Sequence, residues 1–308
     1  MIVVFGSINI DLVTHVETIA RPGETVLGPS YAVIPGGKGA NQALAARRAG
    51  AAVALVGAVG RDGFADAALA LLAADGVDLS CVARVDAPTG AAFISVDAAG
   101  QNAITVAAGA NALAKAAQLE RRGIGPGDIL LLQRETPDAE NLAAARFAKA
   151  NGARVVLNLA PAGPLSREAL ACLDMLVMNE HEAAFLGAHL NLPDASPEGV
   201  AAALHSSHGL ATIVTLGAAG AMGWSGGARH ADAAPKVEVV DTTAAGDSFA
   251  GAFACALDGG ADFAGALRHG LAAGSLACTK AGAQTSIPHA AGIAAMFPAL
   301  GRAAFPDC

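Results

Sequence analysis

The sequence predicts an α/β protein built on a doubly wound, mainly parallel sheet, with a small second β-sheet acting as a lid. Short apolar runs rich in Val, Ile and Leu recur along the chain and are continuous rather than alternating, the pattern of strands covered on both faces. Between them lie Ala-rich stretches of helical length, several closed by glycines such as Gly50, Gly76 and Gly152. Two stretches, Leu12 to Ile34 and Thr89 to Val106, break this rhythm and carry no helix of their own.

Taken in order, the first strand is Ile2 to Phe5, and Gly6-Ser7-Ile8-Asn9-Ile10-Asp11 follows it. Asn9 and Asp11, two apart, share a side if extended and would overlook the crevice at a strand's carboxyl end. Asp11 then either grips neighbouring hydroxyls through charged hydrogen bonds or only forms a turn. Pro35-Gly36-Gly37-Lys38-Gly39-Ala40-Asn41-Gln42 runs into a helix over Lys38 to Ala49. It fits neither a Walker A loop nor a dinucleotide fingerprint. Its Lys and Asn on a tight backbone suit sugar hydroxyls, the alternative being a plain Gly-rich turn with a solvated lysine.

A strand over Val53 to Val56 and a helix over Phe64 to Ala74 come next. Ala92 to Val96 and Ala103 to Val106 read as short strands joined by the Ala98-Ala99-Gly100 turn. Such pieces bury little surface alone, so both irregular stretches together are expected to form a small antiparallel sheet over a cleft. The resulting division is a core of 1–11, 35–88 and 107–308 and a lid of 12–34 and 89–106.

The second half continues with strands at Ile129 to Leu132, Val155 to Leu157, Leu176 to Met178 and Ile213 to Leu216. Helices are expected over Asp138 to Ala150, Pro197 to His208, Ser248 to Leu257 and Phe263 to Thr279. Two strands end in carboxylates, at Gln133-Arg134-Glu135 and at Asn179-Glu180-His181-Glu182. These groups either support Mg²⁺ as hard oxygen ligands or cap the following helices with solvated charges. The most informative segment is Asp241-Thr242-Thr243-Ala244-Ala245-Gly246-Asp247, which joins a strand to a helix through small residues. There the backbone N–H groups and the positive helix end form an anion hole. Asp247 inside it is a poor phosphate ligand but a suitable base for a hydroxyl attacking phosphorus, or else the N-cap of its helix.

Composition narrows the field. A formal net charge of −8 with only 19 Lys plus Arg gives no field to attract nucleic acid or an anionic membrane. Met1-Ile2-Val3-Val4-Phe5 lacks a basic leader and no stretch reads as a membrane span, so a cytoplasmic protein is expected. Five cysteines without a Cys-x-x-Cys pair suggest neither zinc nor redox chemistry, and Cys308 reads as a loose terminal thiol. His181, His189, His205, His208 and His269 show no metal-ligand spacing.

Gly36-Gly37-Lys38-Gly39-Ala40-Asn41-Gln42-Ala43 and Asp241 to Asp247 resemble the two signatures of the ribokinase (pfkB-type) family of carbohydrate kinases. Gly6 to Asp11, Pro22 to Thr25, Ala108 to Asn111, Asn179 to Glu182, Thr215 to Gly217 and Lys280 to Gln284 fall in that family's order, so the likeness spans nearly the whole chain. It implies a Rossmann-like core whose β lid also forms a homodimer contact. It implies ATP-dependent phosphorylation of a pentose's primary hydroxyl, D-ribose to ribose 5-phosphate first, with a nucleoside kinase or another sugar kinase of the family as the alternative. By the same resemblance Asn9, Asp11, Gly37, Lys38, Asn41 and Glu135 hold the sugar. Asp247 is the base, and Ala244, Ala245 and Gly246 supply the anion hole. Asn179, Thr215, Gly217 and Gly220 line the ATP site and Glu182 supports Mg²⁺ through water. Asp241, Thr243, Ala277, Lys280, Gly282 and Ser286 fall at a K⁺ site. The sequence departs from the pattern at Leu271, where relatives often carry a His or Asn near the purine and His269 stands two residues earlier. A non-catalytic sugar sensor would be expected to lose Asp247 or Gly246, and both are present.

Overall fold

The computed structural model describes residues 1–296, so Cys308 lies outside the described residues. In chain order the strands of the first half are β1 (Ile2–Phe5), β2 (Asn9–His15), β3 (Tyr31–Gly36), β4 (Val53–Val59), β5 (Asp78–Arg84), β6 (Gly90–Val96) and β7 (Asn102–Ala107). Those of the second half are β8 (Ile129–Leu132), β9 (Arg154–Asn158), β10 (Met175–Asn179), β11 (Ala211–Thr215), β12 (Ala221–Ser225) and β13 (Ala228–Asp232). Helices α1 (Lys38–Ala49), α2 (Gly63–Ala74), α3 (Gln118–Arg122), α4 (Asp138–Ala150) and α5 (Arg167–Ala171) lie in the first two thirds. They are followed by α6 (Glu180–His189), α7 (Pro197–His208), α8 (Ala245–Asp258), α9 (Phe263–Ala277) and α10 (Ala290–Met296).

The large sheet has the order β13-β12-β11-β10-β9-β8-β1-β4-β5, parallel from β11 to β5 with an antiparallel meander at the β13 edge. Alternation along β1 shows why it is doubly wound. Ile2 and Val4 enter one apolar layer with α1, α8 and α9, while Val3 and Phe5 enter the other with α4 and α7. All four are fully buried, and truncating such a side chain typically costs about 2–5 kcal/mol. The chain leaves β1 for β4 on one side and returns to β8 on the other. A crevice therefore opens beyond the carboxyl ends of β1 and β8, the switch point at which open α/β sheets bind ligands.

Local chemistry sets the helix ends. Ser196 caps α7, with Pro197 at its first position and left-handed Gly209 closing it; Asp62 and Asp262 cap α2 and α9. The second sheet, β3-β2-β6-β7, is built from the two irregular stretches, but it is mixed rather than antiparallel. β2 and β6 both leave the core in the same direction and pair in parallel, Asp11 opposite Ala92, while β3 and β7 are their returning hairpin partners. This register turns Asp11, Val13, Ile34, Ala92, Ile94 and Ile104 toward the crevice. Among the described residues no helix is long and apolar enough to cross a membrane.

Candidate active site

The crevice between the two sheets is a cleft of about 1120 Å³. Asp247 lies at its floor, buried in the first turn of α8. It is not the N-cap: that position belongs to Ala244, in the left-handed region at φ 58°, with no side chain capping the helix. The capping alternative is thereby overturned, because α8 begins at Ala245 rather than Ser248. Asp247 is instead held from α1, with Asn41 Nδ2 donating to Oδ2 at 2.9 Å and Gln42 Nε2 donating to Oδ1 at 2.9 Å. Ala244 lines the cleft in that strained left-handed geometry, where the chain turns into α8 and leaves the helix's first N–H groups without intrahelical partners. At Gly246 nothing lies within 4 Å of where a Cβ would stand. Nothing in the described fold requires glycine there, and the space beside it is open.

The opposite wall is made where α1 presses on the β1–β2 connection. Gly37 stands at φ 91°, and a Cβ on Gly39 would meet the backbone of Gly6 and Ser7 at 2.5 Å. The Gly-rich string is thus a packing requirement, and Lys38 within it is half-buried rather than solvated. Asp247 foremost holds the Lys38 ammonium above the usual lysine range, against burial, with help from Glu135, Glu182 and Asp11. Glu135 Oε2 accepts from Ser7 Oγ at 2.6 Å and from the Lys38 backbone N–H at 3.0 Å. Asn9 and Asp11 sit on β2, in the small sheet rather than at the end of β1, and both face the cleft as their spacing predicts. Asn111 Nδ2 donates to Asn9 Oδ1 at 2.6 Å. Burial, then the charges of Glu135 and Asp247, push the Asp11 carboxyl up to about 6, with Lys38 opposing. Asn41 Oδ1 is buried without a protein partner, leaving an open acceptor in the cleft wall.

Other candidates group around this centre. Asp241 Oδ1 accepts from Thr243 N and Oγ1, and Oδ2 from Gly282 N at 2.8 Å, which ties the 241–243 turn to the 277–286 segment. Asp241, Thr243, Ala244 and Gly282 line the cleft. Ala277 and Ser286 are buried behind it and Lys280 is exposed. Asn179, Glu182, Thr215, Gly217 and Gly220 are not in the cleft wall; they cluster beside it at the ends of β10 and β11, where Asn179 is paired with Thr215. Asn179 caps α6, and Glu182 accepts from its backbone N–H in return at 2.8 Å. The capping reading therefore holds for this pair, but Glu182 is buried rather than solvated, and burial raises its carboxyl above the usual range. Leu271 packs in the core and is no purine-edge group, and buried His269 has its imidazole held down to about 4 by desolvation.

The sequence alone did not single out Asn111 in the cleft wall or the groups behind it, Ser7, Gln42, Gln133 and Asn158. Ser7, Gln42, Asn111 and Gln133 stood inside strings already singled out, which is the signal that could have flagged them. The model of the pfkB family carbohydrate kinases matches residues 1–290. The chain belongs to the pfkB family. This pfkB-family chain is 40% identical to a ribokinase of Haemophilus influenzae, covering 92% of this chain and 94% of the relative. It is 38% identical to a ribokinase of Bacillus subtilis, covering 93% and 96%. Among solved structures it resembles Arabidopsis thaliana ribokinase complexed with ribose and ATP, with a TM-score of 0.85, 32% identity and coverage of 96% and 97%. The Thermotoga maritima ribokinase superposes with a TM-score of 0.89 at 36% identity, covering 96% and 99%.

Proposed function

We propose that this pfkB-family chain is an ATP-dependent kinase that phosphorylates the primary hydroxyl of D-ribose. The observation that carries the reading is Asp247: a buried carboxylate in the first turn of α8, not engaged in capping, in one cleft with Asp11, Lys38 and Glu135. The sugar's hydroxyls are held by Asn9, Asp11, Asn41 and Glu135, which leaves the primary hydroxyl beside Asp247. Asp247 takes the proton as that oxygen attacks the γ-phosphorus in line, and ADP leaves on the opposite side. Backbone N–H groups from Ala244 to Gly246 stabilise the charge that develops on the transferred oxygens. The ATP lies along Asn179 and the Thr215–Gly220 turn.

Mg²⁺ would neutralise the ATP phosphates, and buried Glu182, a hard oxygen donor beside this shelf, suits water-mediated support of it. A K⁺ ion would be held by the carboxylate and carbonyl oxygens of Asp241, Thr243, Ala277, Lys280, Gly282 and Ser286, a reading supported by the hydrogen bond from Gly282 N to Asp241. Residues 1–11, 35–88 and 107–308 form the core, and 12–34 and 89–106 act as the lid. Its outward apolar side chains, Tyr31 at 69% and Phe93 at 51% exposure, support a homodimer through the lid. The working place of the enzyme is the cytoplasm.

The test is ADP release from MgATP over ribose, deoxyribose, fructose, adenosine, inosine and pyrimidine nucleosides, with and without K⁺. Ribose is expected to give the strongest signal and K⁺ to raise it. Activity confined to a nucleoside would replace the substrate, and silence across the panel would defeat the kinase reading. Asp247→Ala is expected to fold and to lose roughly two to four orders of magnitude in kcat.

A further inference from the structure

We propose that Gln42 is a positioning residue for phosphoryl transfer: it fixes the carboxylate plane of Asp247 so that Oδ2 alone meets the attacking hydroxyl. The assignment rests on the reading of Asp247 as the base. Asn41 and Gln42 are consecutive on α1 and each donates to a different oxygen of Asp247. Asn41 lines the cleft, whereas Gln42 is fully buried and does not. The oxygen bound by Gln42, Oδ1, therefore points into the protein, and the one bound by Asn41, Oδ2, faces the ligand. A carboxylate turns broadly about its last torsion, so a cap on one oxygen is what selects the other for chemistry.

Gln42 is itself held on every side. Its Oε1 accepts from Gln133 Nε2 at 2.8 Å, and its Nε2 donates also to Asn158 Oδ1 at 3.0 Å. Asn158 Nδ2 in turn donates to the Val177 carbonyl at 3.4 Å. The reversed amide would set an oxygen against two oxygens, so the network admits one orientation of Gln42. Gln133 and Gln42 are both fully buried, and Asp247 and Asn158 nearly so. The ends of β8 and β9 are thereby wired through one amide on α1 to the catalytic carboxylate on α8. Gln133 Oε1 stays buried without a partner, so this network costs stability, and a side chain placed only for packing at this point would be apolar.

Kinetics of Gln42→Met, which keeps the length and removes the donor, test the proposal against ribose and MgATP. A fall in kcat of roughly a hundredfold is expected, the scale of a reacting group displaced by about 1 Å. Both KM values should stay within about threefold, because Asn9, Asp11, Lys38 and Glu135 are untouched. Gln133→Met, which frees Gln42 without deleting it, should lower kcat by about tenfold in the same pattern and serves if Gln42→Met fails to fold. Wild-type kcat in the folded variants would overturn the proposal. So would kcat and both KM values changing together in step with a lowered melting temperature, which is the mark of general damage. Asp247→Asn is run beside them. If it keeps wild-type kcat, the base reading fails and this one with it; if it is inactive while Gln42→Met is fully active, only the role of Gln42 is lost.

Discussion

Asp11 shows function set against stability in a single side chain. Its carboxyl is raised from 3.8 to about 6, first by burial and then by Glu135 and Asp247. Between those two values the folded protein keeps a proton that the unfolded chain has released. The stability linked to this group is therefore present below about 4 and lost as pH rises through 6, and at neutral pH the ionised Asp11 opposes folding by roughly 2 to 3 kcal/mol. Asp11→Asn is expected to raise the unfolding free energy by about 1–2 kcal/mol while raising the sugar KM by at least tenfold, since a charged hydrogen bond is lost. In the unmodified protein the sugar KM should climb as pH falls below 6, where the carboxyl gains its proton. Calorimetry and KM profiles from pH 5 to 8 check both halves; an Asn variant that is less stable, or a flat profile, would sink the argument.

At the level of elements, two junctions decide whether the site keeps its shape. Asp62 caps α2 through the N–H groups of Phe64 and Ala65, and it also accepts from Thr89 N and Oγ1, both at 2.7 Å, where the chain enters β6. Burial would raise its carboxyl, but the bonds from Thr89 and then from the helix N–H groups more than offset that and hold it below the usual range. Its contribution is present above about 4 and lost as pH falls through the lowered value. An ordinary cap is worth about 1 kcal/mol; Asp62→Ala is expected to cost about 2 in denaturant unfolding, because the lid entry loses its anchor as well. The second junction is α1 against α8, where a Cβ on Gly251 would stand 2.6 Å from Ala45 Cβ and from the Gln42 carbonyl. Gly251→Ala should therefore destabilise by about 1–3 kcal/mol and lower kcat, since it moves the two helices that carry Asn41, Gln42 and Asp247. A variant with both values unchanged would show that this contact does not set the site. Much of this architecture was legible in the sequence: continuous apolar runs marked β1, β4, β8 and β10, a glycine-rich string marked α1, and a run of small residues marked the entry to α8. The edge strands β5 and β13 were not, because partly exposed strands such as Asp78–Arg84 and Ala228–Asp232 carry no continuous apolar run. Nor was the network behind Asp247, whose members Gln133 and Asn158 are single polar residues at strand ends. Their meaning arises only from bonds across separations such as the 205 residues between Gln42 and Asp247.

For the molecule as a whole, the cleft is completed by two bodies of unequal solidity. The central strands of the large sheet, such as β8, are buried on both faces, whereas β7 is exposed along its whole length and the small sheet is carried on β2 and β6. A sugar held by Asn9 and Asp11 on β2 and by Lys38 and Asn41 on α1 would bridge the small sheet and the α/β layers, so its binding energy is spent on joining the two. Ligand that binds only the folded state stabilises it by about 2.7 kcal/mol at a hundred times its dissociation constant. Local opening of the lid is the first event such binding suppresses, because weakly packed segments open at lower free energy than the core. Hydrogen exchange should therefore slow in Gly90–Val96 and Asn102–Ala107 when ribose is added, with little change in Ile129–Leu132 or Met175–Asn179. Asp11→Asn should lose that protection at the same ribose concentration, while MgATP alone still raises its melting temperature through the separate shelf at Asn179 and Thr215. Protection that spreads evenly over core and lid, or that survives in Asp11→Asn, would mean that the sugar does not bridge the two bodies through β2.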